Sequence, residues 1–507
     1  MVALPAYLLL VPLLAVVPLA CHLRAVSRRR GDGPRLPPSP WALPMIGHLH
    51  HLVGALPHRA IRDLAGRHGP LMLLRLGGLR VVVASSADAA REVMKTRDLN
   101  FATRSMSRTM QLAFPRGTEG IIFAPYGESW RQIRKLCTVE LLSARRVQSF
   151  RSVREGEAAR LLRAVASAAA ATPARAVNLS EMIAAYAADS AARTVIGSSF
   201  KGRDAFLALL ERSVKMFAQM SLPDLFPSSR LAMLISRMPG RMRRQRKELV
   251  AFADSVVREH EENKASGDGK EDLLDVLLRI QKEGDLQVPM TTENIKSVVG
   301  DMLGTGSETV ATMLQWILAE LVRNPRVMRK VQEEVRRVLA GQHGVTEECL
   351  GDLHYMGLVI KEALRLHPPA PLLFPRECRS SCEVLGFSVP QGTMVLVNAW
   401  AISRDPRYWD APEEFVPERF ENSSTDFKGT CFEYTPFGAG RRMCPGMAFA
   451  LVNMELVLAG LLYHFDWELP CGAEAADMDM TEEMGVTARR LRDLLLVPAL
   501  RVPLPED

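Results

Sequence analysis

Residues 436–446, PFGAGRRMCPG, constrain the fold and chemistry of this chain more than any other segment. One cysteine, Cys444, stands among three glycines and two prolines and follows a pair of arginines. Glycines permit tight turns and a close approach of the backbone, so such a loop can offer N–H groups to one sulfur atom. A thiolate that binds a metal needs this protection from protonation and oxidation. The segment therefore favours a metal-binding thiolate over an ordinary buried cysteine.

Five positions of this segment fit the pattern F-x-x-G-x-R-x-C-x-G, which resembles the signature loop of the cytochrome P450 superfamily; they are Phe437, Gly440, Arg442, Cys444 and Gly446. The resemblance implies a haem b cofactor (iron protoporphyrin IX) whose iron takes the thiolate of Cys444 as its axial ligand. It also implies that Arg442 pairs with a haem propionate and that Phe437 shields the sulfur. The implied fold is mainly α with small β-sheets, preceded by an N-terminal transmembrane helix.

Two further segments resemble elements that contact the haem in the same family. Trp130 and Arg134, in YGESWRQIRKLC, fit a W-x-x-x-R helix whose two side chains reach the propionates, and Arg376 in FPRE supplies another cation. Taken alone, Trp130 is more typical of a core aromatic residue. Two carboxylates buried with a haem need fixed positive charges, however, and this charge balance favours the haem contact.

A third segment, KEALRLHPP, contains Glu362 and Arg365 three residues apart, which places both side chains on one face of a helix. In isolation this spacing carries no information, but here it resembles the E-x-x-R motif of the family. The resemblance implies that the pair joins Arg419, in the downstream segment PERF, in a buried ion network. The implied role is structural, because the loss of one member would leave the others buried without compensation.

The segment GDMLGTGSETVATML, residues 300–314, resembles the oxygen-activating part of a long helix that crosses the haem. The resemblance implies that Thr309 and Glu308 are the catalytic residues, an alcohol and an acid that deliver protons during oxygen activation. Two positions depart from the family pattern. Thr305 stands where alanine or glycine is commoner and narrows the space above the iron. Val310 replaces the usual threonine or serine, so proton delivery depends more on Thr309.

The substrate-contacting positions implied by the resemblance lie in five separate stretches that are rich in apolar residues, which predicts an apolar pocket. Two of the stretches are about 101–120 and 205–225. The residues of the other three are Asp301, Gly304 and Thr305 before the acid–alcohol pair; Ala370, Leu372, Leu373 and Phe374 after the E-x-x-R helix; and Val486 and Thr487 near the C-terminus.

Residues 1–23 carry no charged side chain and, as a helix, would span roughly 35 Å, enough to cross a bilayer. Arginines follow this run, so the positive-inside rule places the rest of the chain in the cytosol. A cleaved signal peptide is the alternative, which the lack of a basic start disfavours. We expect a transmembrane anchor at 1–23, a basic and proline-rich hinge at 24–48, and one haem-thiolate domain at 49–507. Eight scattered cysteines without a C-x-x-C pair are typical of a reducing compartment.

Residues 420–467 resemble the plant microsomal A-type cytochromes P450 of family 71, and among these the grass members. This resemblance implies a single-pass protein of the endoplasmic reticulum membrane that receives electrons from NADPH–cytochrome P450 reductase, with cytochrome b5 as a further partner. Exposed basic residues beside the thiolate loop (Arg131, Lys135 and Arg441) are candidates for the docking face. The net charge of +7 is too small and, apart from four N-terminal arginines, too dispersed to indicate nucleic acid binding.

The implied activity is monooxygenation of a hydrophobic specialised metabolite, with a terpenoid as the first expectation and an indolic or phenylpropanoid molecule as the second. A haem-thiolate isomerase or dehydratase that converts hydroperoxides without a reductase is an alternative. The acid–alcohol pair Glu308–Thr309 disfavours it, because such enzymes commonly lack that pair. A non-catalytic haem-binding protein is the remaining alternative, and no signalling module in the sequence favours it.

Overall fold

The computed structural model describes residues 34–505, except 116–119, 171–174, 198–201, 218, 265–270, 285 and 343. The predicted anchor at 1–23 and the first part of the predicted hinge lie outside the described residues. Over the described ranges the chain is mainly helical and carries small sheets of five, three, two and two strands. The fold class predicted from the sequence is therefore confirmed.

The described residues form seventeen α-helices and twelve strands. The α-helices are α1 (Pro57–His68), α2 (Ala87–Arg91), α3 (Met110–Ala113), α4 (Glu128–Leu136), α5 (Ala144–Ser149), α6 (Arg151–Ala169), α7 (Leu179–Ile196), α8 (Arg203–Phe217), α9 (Leu222–Leu225), α10 (Arg230–Ile235), α11 (Met238–Lys264), α12 (Leu273–Glu283), α13 (Thr292–Arg323), α14 (Pro325–Val338), α15 (His354–Leu366), α16 (Ala399–Ile402) and α17 (Met447–His464). The strands are β1 (Leu71–Leu76), β2 (Leu79–Ala84), β3 (Thr103–Arg104), β4 (Val177–Asn178), β5 (Arg376–Glu377), β6 (Cys382–Val384), β7 (Phe387–Val389), β8 (Met394–Val397), β9 (Phe465–Glu468), β10 (Glu482–Met484), β11 (Ala488–Arg490) and β12 (Leu495–Leu500).

Helix α13 forms the centre of the molecule. Its start is fixed by a capping box, in which the Thr291 hydroxyl accepts the Asn294 N–H at 3.1 Å and the Asn294 side-chain oxygen accepts the Thr291 N–H at 3.1 Å. The C-terminal half is buried on all sides, and Leu314, Trp316 and Ile317 are each at most 1% exposed. This half packs against α7, α15 and α17 in the largest apolar core, so the position of α13 is set by burial.

The five-stranded sheet has the order β1-β2-β8-β5-β3. Two apolar runs about Gly77 and Gly78 predict a hairpin, and the first two strands form it. Strand β8 adds to β2 in parallel. At the other edge, β3 pairs with β5 in antiparallel register, which places Arg104 directly opposite Arg376. Like charges in this position repel each other, so the edge needs a negative counter-charge.

The thiolate loop connects a long irregular region to α17. Gly440 begins a single 3-10 turn with a φ of +69°, a conformation that other residues rarely adopt. A Cβ added to Gly440 would lie 2.1 Å from the Met94 carbonyl oxygen, so only glycine fits at this point. Helix α17 starts three residues after Cys444. It is the one helix of the described residues that is long and apolar enough to cross a membrane, but 61% of that stretch is buried in the core.

The described part of the predicted hinge packs against the sheets. The Arg35 carbonyl accepts the Ser388 N–H at 2.7 Å, and the Pro38 carbonyl accepts the Leu73 N–H at 2.9 Å. His48 is 2% exposed, and its Nδ1 accepts the Arg75 N–H at 2.7 Å. Proline lacks an N–H but keeps its carbonyl, so a proline-rich segment can still dock on a strand edge as an acceptor. The boundary at residue 48 stays a prediction.

Candidate functional site

The Cys444 thiol lies in a loop that is closed by its own backbone. The Cys444 N–H donates to the Phe437 carbonyl at 2.9 Å, and the Met443 N–H donates to the Gly440 carbonyl at 3.0 Å. Burial raises the pKa of the thiol, whereas the Gly446 N–H, which donates to the sulfur, and the Arg134 guanidinium lower it. The side chain is nonetheless exposed, so the sulfur remains accessible to a metal that would bind it as the thiolate.

Four guanidinium groups gather beside this loop. Arg104 and Arg376 face each other across β3 and β5, and Arg134 and Arg442 approach from α4 and from the thiolate loop. Burial and repulsion from the other three hold the pKa of Arg104 well below its usual range. Burial, then Arg376 and Arg134, lower the pKa of Arg442 to about 9. The buried Asp98 carboxylate contacts one of them, with its Oδ1 3.3 Å from Nη1 of Arg376.

Most donors of this arginine cluster, which we define as Arg104, Arg134, Arg376 and Arg442, are taken up by backbone carbonyls. Arg442 donates from Nε to the Ala102 carbonyl at 2.6 Å and lies 4.0 Å above the Trp130 ring, and Arg134 donates to the Met443 carbonyl. Nε of Arg104, however, is buried and has no partner among the described residues. An unpaired buried donor in a cationic cluster calls for an anionic ligand group.

The residues present therefore fit the implied haem. A thiol accessible to iron stands next to more buried positive charge than the contacting Asp98 can neutralise, which is the donor set that an iron porphyrin with two propionates requires. The sequence predicted Trp130, Arg134, Arg376 and Arg442 for this role. The indole N–H of Trp130 donates to the Ile121 carbonyl at 3.0 Å. The sequence missed Arg104, which belongs to no motif and is revealed by the strand register.

On helix α13, two predicted threonine hydroxyls bond within the helix, whereas the Glu308 carboxylate bonds outside it. The Thr309 hydroxyl donates to the Thr305 carbonyl at 2.7 Å, and the Thr305 hydroxyl donates to the Asp301 carbonyl at 2.7 Å. Glu308 points to the turn between β10 and β11, where its Oε1 accepts the Thr487 hydroxyl at 2.8 Å. Thr487 was predicted as a pocket residue, and the structure shows that its hydroxyl contacts the predicted acid.

Asp301 joins α13 to the chain that precedes α4. Its Oδ2 accepts the Ile121 N–H at 2.7 Å and the Ile122 N–H at 3.1 Å. A Cβ added to Gly120 would lie 2.2 Å from the same oxygen, so the backbone comes very close to the carboxyl group. Burial raises the pKa of Asp301 to about 7 even though both N–H bonds oppose the shift. Its predicted pocket role stays a prediction, and its observed contacts hold this loop.

The other predicted pocket residues come from separate elements. Leu373, with a φ of +48°, contacts the apolar cluster beside the thiolate loop, and its N–H donates to the Ala370 carbonyl at 2.9 Å. The Phe374 ring lies next to the Arg104 guanidinium, 5.6 Å from ring centre to Cζ. Of the remaining predicted positions, Leu372 packs beside the β1–β2 core, Gly304 lies beside Leu210 of α8, and Val486 precedes Thr487 in the β10–β11 turn.

The predicted ion network forms one contact group behind the site. Glu362 and Arg365 are both fully buried, and the Glu362 carboxylate accepts two Arg365 N–H groups at 2.8 Å each. Arg419 donates from Nε to the same carboxylate at 3.0 Å. Arg365 also donates to the Ser403 carbonyl at 2.8 Å, which ties α15 to the irregular region before the thiolate loop.

Comparisons with known proteins agree with this geometry. The family profile described as "Cytochrome P450" matches residues 37–496. Ent-cassadiene hydroxylase of Oryza sativa subsp. japonica is 48% identical over 92% of this chain and 92% of its own length, and desmethyl-deoxy-podophyllotoxin synthase of Sinopodophyllum hexandrum is 47% identical over 92% of each. A zebra fish cytochrome P450 solved with progesterone superposes with a TM-score of 0.75 at 26% identity, over 88% of this chain and 100% of that chain.

Proposed function

Since the chain belongs to the cytochrome P450 family and is a haem-thiolate monooxygenase, we propose that it hydroxylates a terpenoid of plant specialised metabolism. The net reaction is R–H + O₂ + NADPH + H⁺ → R–OH + H₂O + NADP⁺. The observation that carries this choice is the 48% identity over 92% of both chains to a protein named as the hydroxylase of a diene, a hydrocarbon with two double bonds. We further assign the chain to plant A-type family 71, as a grass member, on the resemblance of residues 420–467.

The haem, when bound, supplies the activation of O₂ and the oxidation of a carbon–hydrogen bond. The Cys444 sulfur would hold its iron, since the loop already directs the Gly446 N–H to that atom. The arginine cluster would hold its two carboxylates, Arg104 with the donor that has no partner among the described residues. Phe437 packs edge-on against Phe427, with ring centres 5.5 Å apart, and closes the loop from the side of the core.

Glu308 and Thr309 are proposed to bring protons to the site. Their positions on α13 are consecutive, so the two side chains leave the helix about 100° apart. Glu308 uses Oε1 as an acceptor for Thr487, and within the described part of the chain Oε2 remains free to take up and release a proton. The Thr309 hydroxyl donates to a helix carbonyl, which leaves its oxygen able to accept a hydrogen bond from a neighbouring donor.

Substrate selection is proposed to depend on the apolar stretches that flank α13. Gly304 adjoins the Leu210 side chain of α8, and Leu373 adjoins the thiolate loop. Apolar walls with few polar groups suit a hydrocarbon that offers no charge for recognition. Thr305 uses its hydroxyl within the helix and therefore presents its methyl group as a contact.

We propose that the protein is a single-pass protein of the endoplasmic reticulum membrane with its catalytic domain in the cytosol. Supporting this, Met45 and Leu234 are 81% and 82% exposed although both are apolar. The β1–β2 turn connects their segments, because the Gly77 N–H donates to the Ile46 carbonyl at 3.1 Å and the following N–H donates to the Leu225 carbonyl at 2.7 Å. One face thus carries exposed apolar side chains that suit a bilayer surface.

NADPH–cytochrome P450 reductase, with cytochrome b5 as a second donor, is the proposed electron source. Arg131 and Lys135 are exposed on α4, and Arg441 is half-exposed in the thiolate loop. The Arg134 bond to the Met443 carbonyl joins α4 to that loop, so the three cations share one face. A cationic face next to the iron ligand suits an acidic electron-transfer partner.

The test is co-expression with the reductase in microsomes that are supplied with sesquiterpene and diterpene hydrocarbons. We expect one hydroxylated product that requires NADPH and the reductase. Product from indolic or phenylpropanoid compounds alone would contradict the terpenoid assignment. Turnover of hydroperoxides without reductase would contradict the proposed use of reductase, and a chain that binds haem but turns over nothing would contradict both.

A further inference from the structure

We propose that Thr487 is a positioning residue that holds the Glu308 carboxylate for proton delivery. The proposal rests on the proposed function, since it takes Glu308 as the proton donor. The Thr487 hydroxyl lies 2.8 Å from Glu308 Oε1 and 3.2 Å from the Thr312 hydroxyl oxygen. Thr487 and Thr312 are 2% and 3% exposed, so water has little access to these contacts.

The direction of these hydrogen bonds follows from counting protons. A threonine hydroxyl has one proton to donate, and an ionised carboxylate has none. Thr487 therefore donates a hydrogen bond to Glu308, and in the bond between the two hydroxyls Thr312 is the donor and Thr487 the acceptor. The resulting chain, from Thr312 to Thr487 to Glu308, polarises each hydroxyl in turn and strengthens the bond to the carboxylate.

The backbone around Thr487 is fixed from two sides. The Trp316 indole N–H donates to the Ala488 carbonyl at 2.9 Å, and the Ala488 N–H donates to the Pro369 carbonyl at 2.9 Å. Helix α13 thus holds the β10–β11 turn at Trp316 and receives the Thr487 hydroxyl two turns earlier at Glu308. A side chain anchored in this way keeps the carboxylate in one rotamer, which matters because proton transfer depends on geometry first.

This arrangement also accounts for Val310, which stands where the family pattern has a second hydroxyl. Val310 is 1% exposed and packs in the largest apolar core. The hydroxyls that serve the acid come instead from Thr312, four residues after Glu308 on the same helix face, and from Thr487 of the C-terminal turn.

The experiment compares Thr487→Val, which keeps the shape and removes the hydroxyl, with Thr487→Ser, which keeps the hydroxyl. In the haem-bound enzyme with reductase, we expect Thr487→Val to lower product per NADPH severalfold and to raise peroxide, and Thr487→Ser to restore coupling. Unfolding midpoints of the haem-bound protein give an independent readout. We expect Thr487→Val and Glu308→Ala to be non-additive, because each removes the same bond.

The outcomes separate this proposal from the proposed function. If Glu308→Ala uncouples the enzyme and Thr487→Val does not, Glu308 keeps its role and Thr487 loses the one proposed here. A change in KM alone would show that Thr487 is only a wall of the pocket. If neither variant uncouples the enzyme, the proton-donor role of Glu308 fails as well. Thr312→Val removes the hydrogen-bond donor to Thr487 and should lower coupling less than Thr487→Val does. If Thr487→Val does not fold, Thr312→Val provides the test in its place.

Discussion

Arg104 and Arg376 lie directly opposite each other on the antiparallel strands β3 and β5. Arg376 is fully buried and Arg104 is half-buried, and burial, followed by repulsion from Arg376, holds the pKa of Arg104 well below its usual range. Nearby, the Asp98 carboxylate contacts Arg376 at 3.3 Å and Arg441 at 2.9 Å. Two guanidinium groups that face each other in this way need additional negative charge nearby. The register of β3 and β5 therefore indicates that an acidic ligand binds at this point.

Removal of Arg104 is expected to weaken haem retention. In Arg104→Gln, the loss of a charge-assisted bond worth about 1.5–3 kcal/mol should raise the rate of haem transfer to an apo-globin acceptor by roughly 10- to 100-fold. Arg80→Gln is the matched control, because Arg80 is exposed on β2 of the same sheet. Equal transfer rates for Arg104→Gln and the wild type would remove Arg104 from the haem site.

Replacement of Cys444 should abolish thiolate ligation. We expect Cys444→Ser to lose the ferrous carbon monoxide absorption that is typical of a haem-thiolate protein, because a hydroxyl does not replace a thiolate as an electron-donating axial ligand. The control is Cys471→Ser, since Cys471 is exposed and remote in sequence from the loop. A thiolate spectrum that survives in Cys444→Ser would mean that another cysteine binds the iron.

The Thr309 hydroxyl is expected to govern the use of reducing equivalents. In Thr309→Ala, product per NADPH should fall by roughly tenfold or more while peroxide rises, because proton delivery by a positioned group contributes factors of this size. Thr309→Ser keeps the hydroxyl and should retain most of the coupling. NADPH oxidation, product and peroxide are measured together in reconstituted microsomes. Unchanged coupling in the alanine variant would show that protons arrive by another route.

The buried ion network should be sensitive to the loss of one charge. Glu362→Gln leaves Arg365 without its carboxylate in a fully buried position, and we expect the free energy of unfolding to fall by about 3–5 kcal/mol. Glu421→Gln is the control, because Glu421 is exposed two residues after Arg419. Urea unfolding of the haem-bound protein measures both variants. A loss in Glu362→Gln no larger than in the control would contradict the role of the network.

Asp301 should make stability depend on pH. Burial raises the pKa of its carboxyl group from 3.8 to about 7, so the folded protein binds a proton that the unfolded chain releases between these values. The contribution to stability is therefore complete below about pH 4 and is lost as the pH rises to about 7. Asp301→Asn should flatten this part of the profile of unfolding free energy against pH. An unchanged slope in the variant would show that other groups set it.

Much of the fold could be predicted from local pattern. The sequence pattern predicts a helix near 57–67 and a final long helix at about 445–463, and the structure has α1 (Pro57–His68) and α17 (Met447–His464) there. The hairpin about Gly77 is also present. These elements depend on residues that are near one another in sequence, where periodicity and turn residues carry the information.

The features that the sequence did not predict are all long-range. Arg104 meets Arg376 through a strand register across more than 270 residues, and neither residue lies in a motif with the other. Thr487 was assigned to the pocket because the resemblance places that turn near the substrate, while its hydrogen bond to Glu308 depends on how α13 and the β10–β11 turn pack. Side-chain orientation at such contacts is decided by tertiary packing, which single-sequence patterns do not encode.

The docking of Arg35 and Pro38 on the sheets limits the distance that can separate the catalytic domain from a membrane anchor. If residues 1–23 anchor the chain, only eleven residues, 24–34, separate the bilayer from a point that is fastened to the globular body. Even at full extension such a stretch reaches at most roughly 40 Å. With such an anchor, the catalytic domain would stay in a thin layer of cytosol next to the membrane. Hydrophobic molecules partition into the membrane, and the local concentration of the enzyme there would be far higher than for a freely diffusing protein.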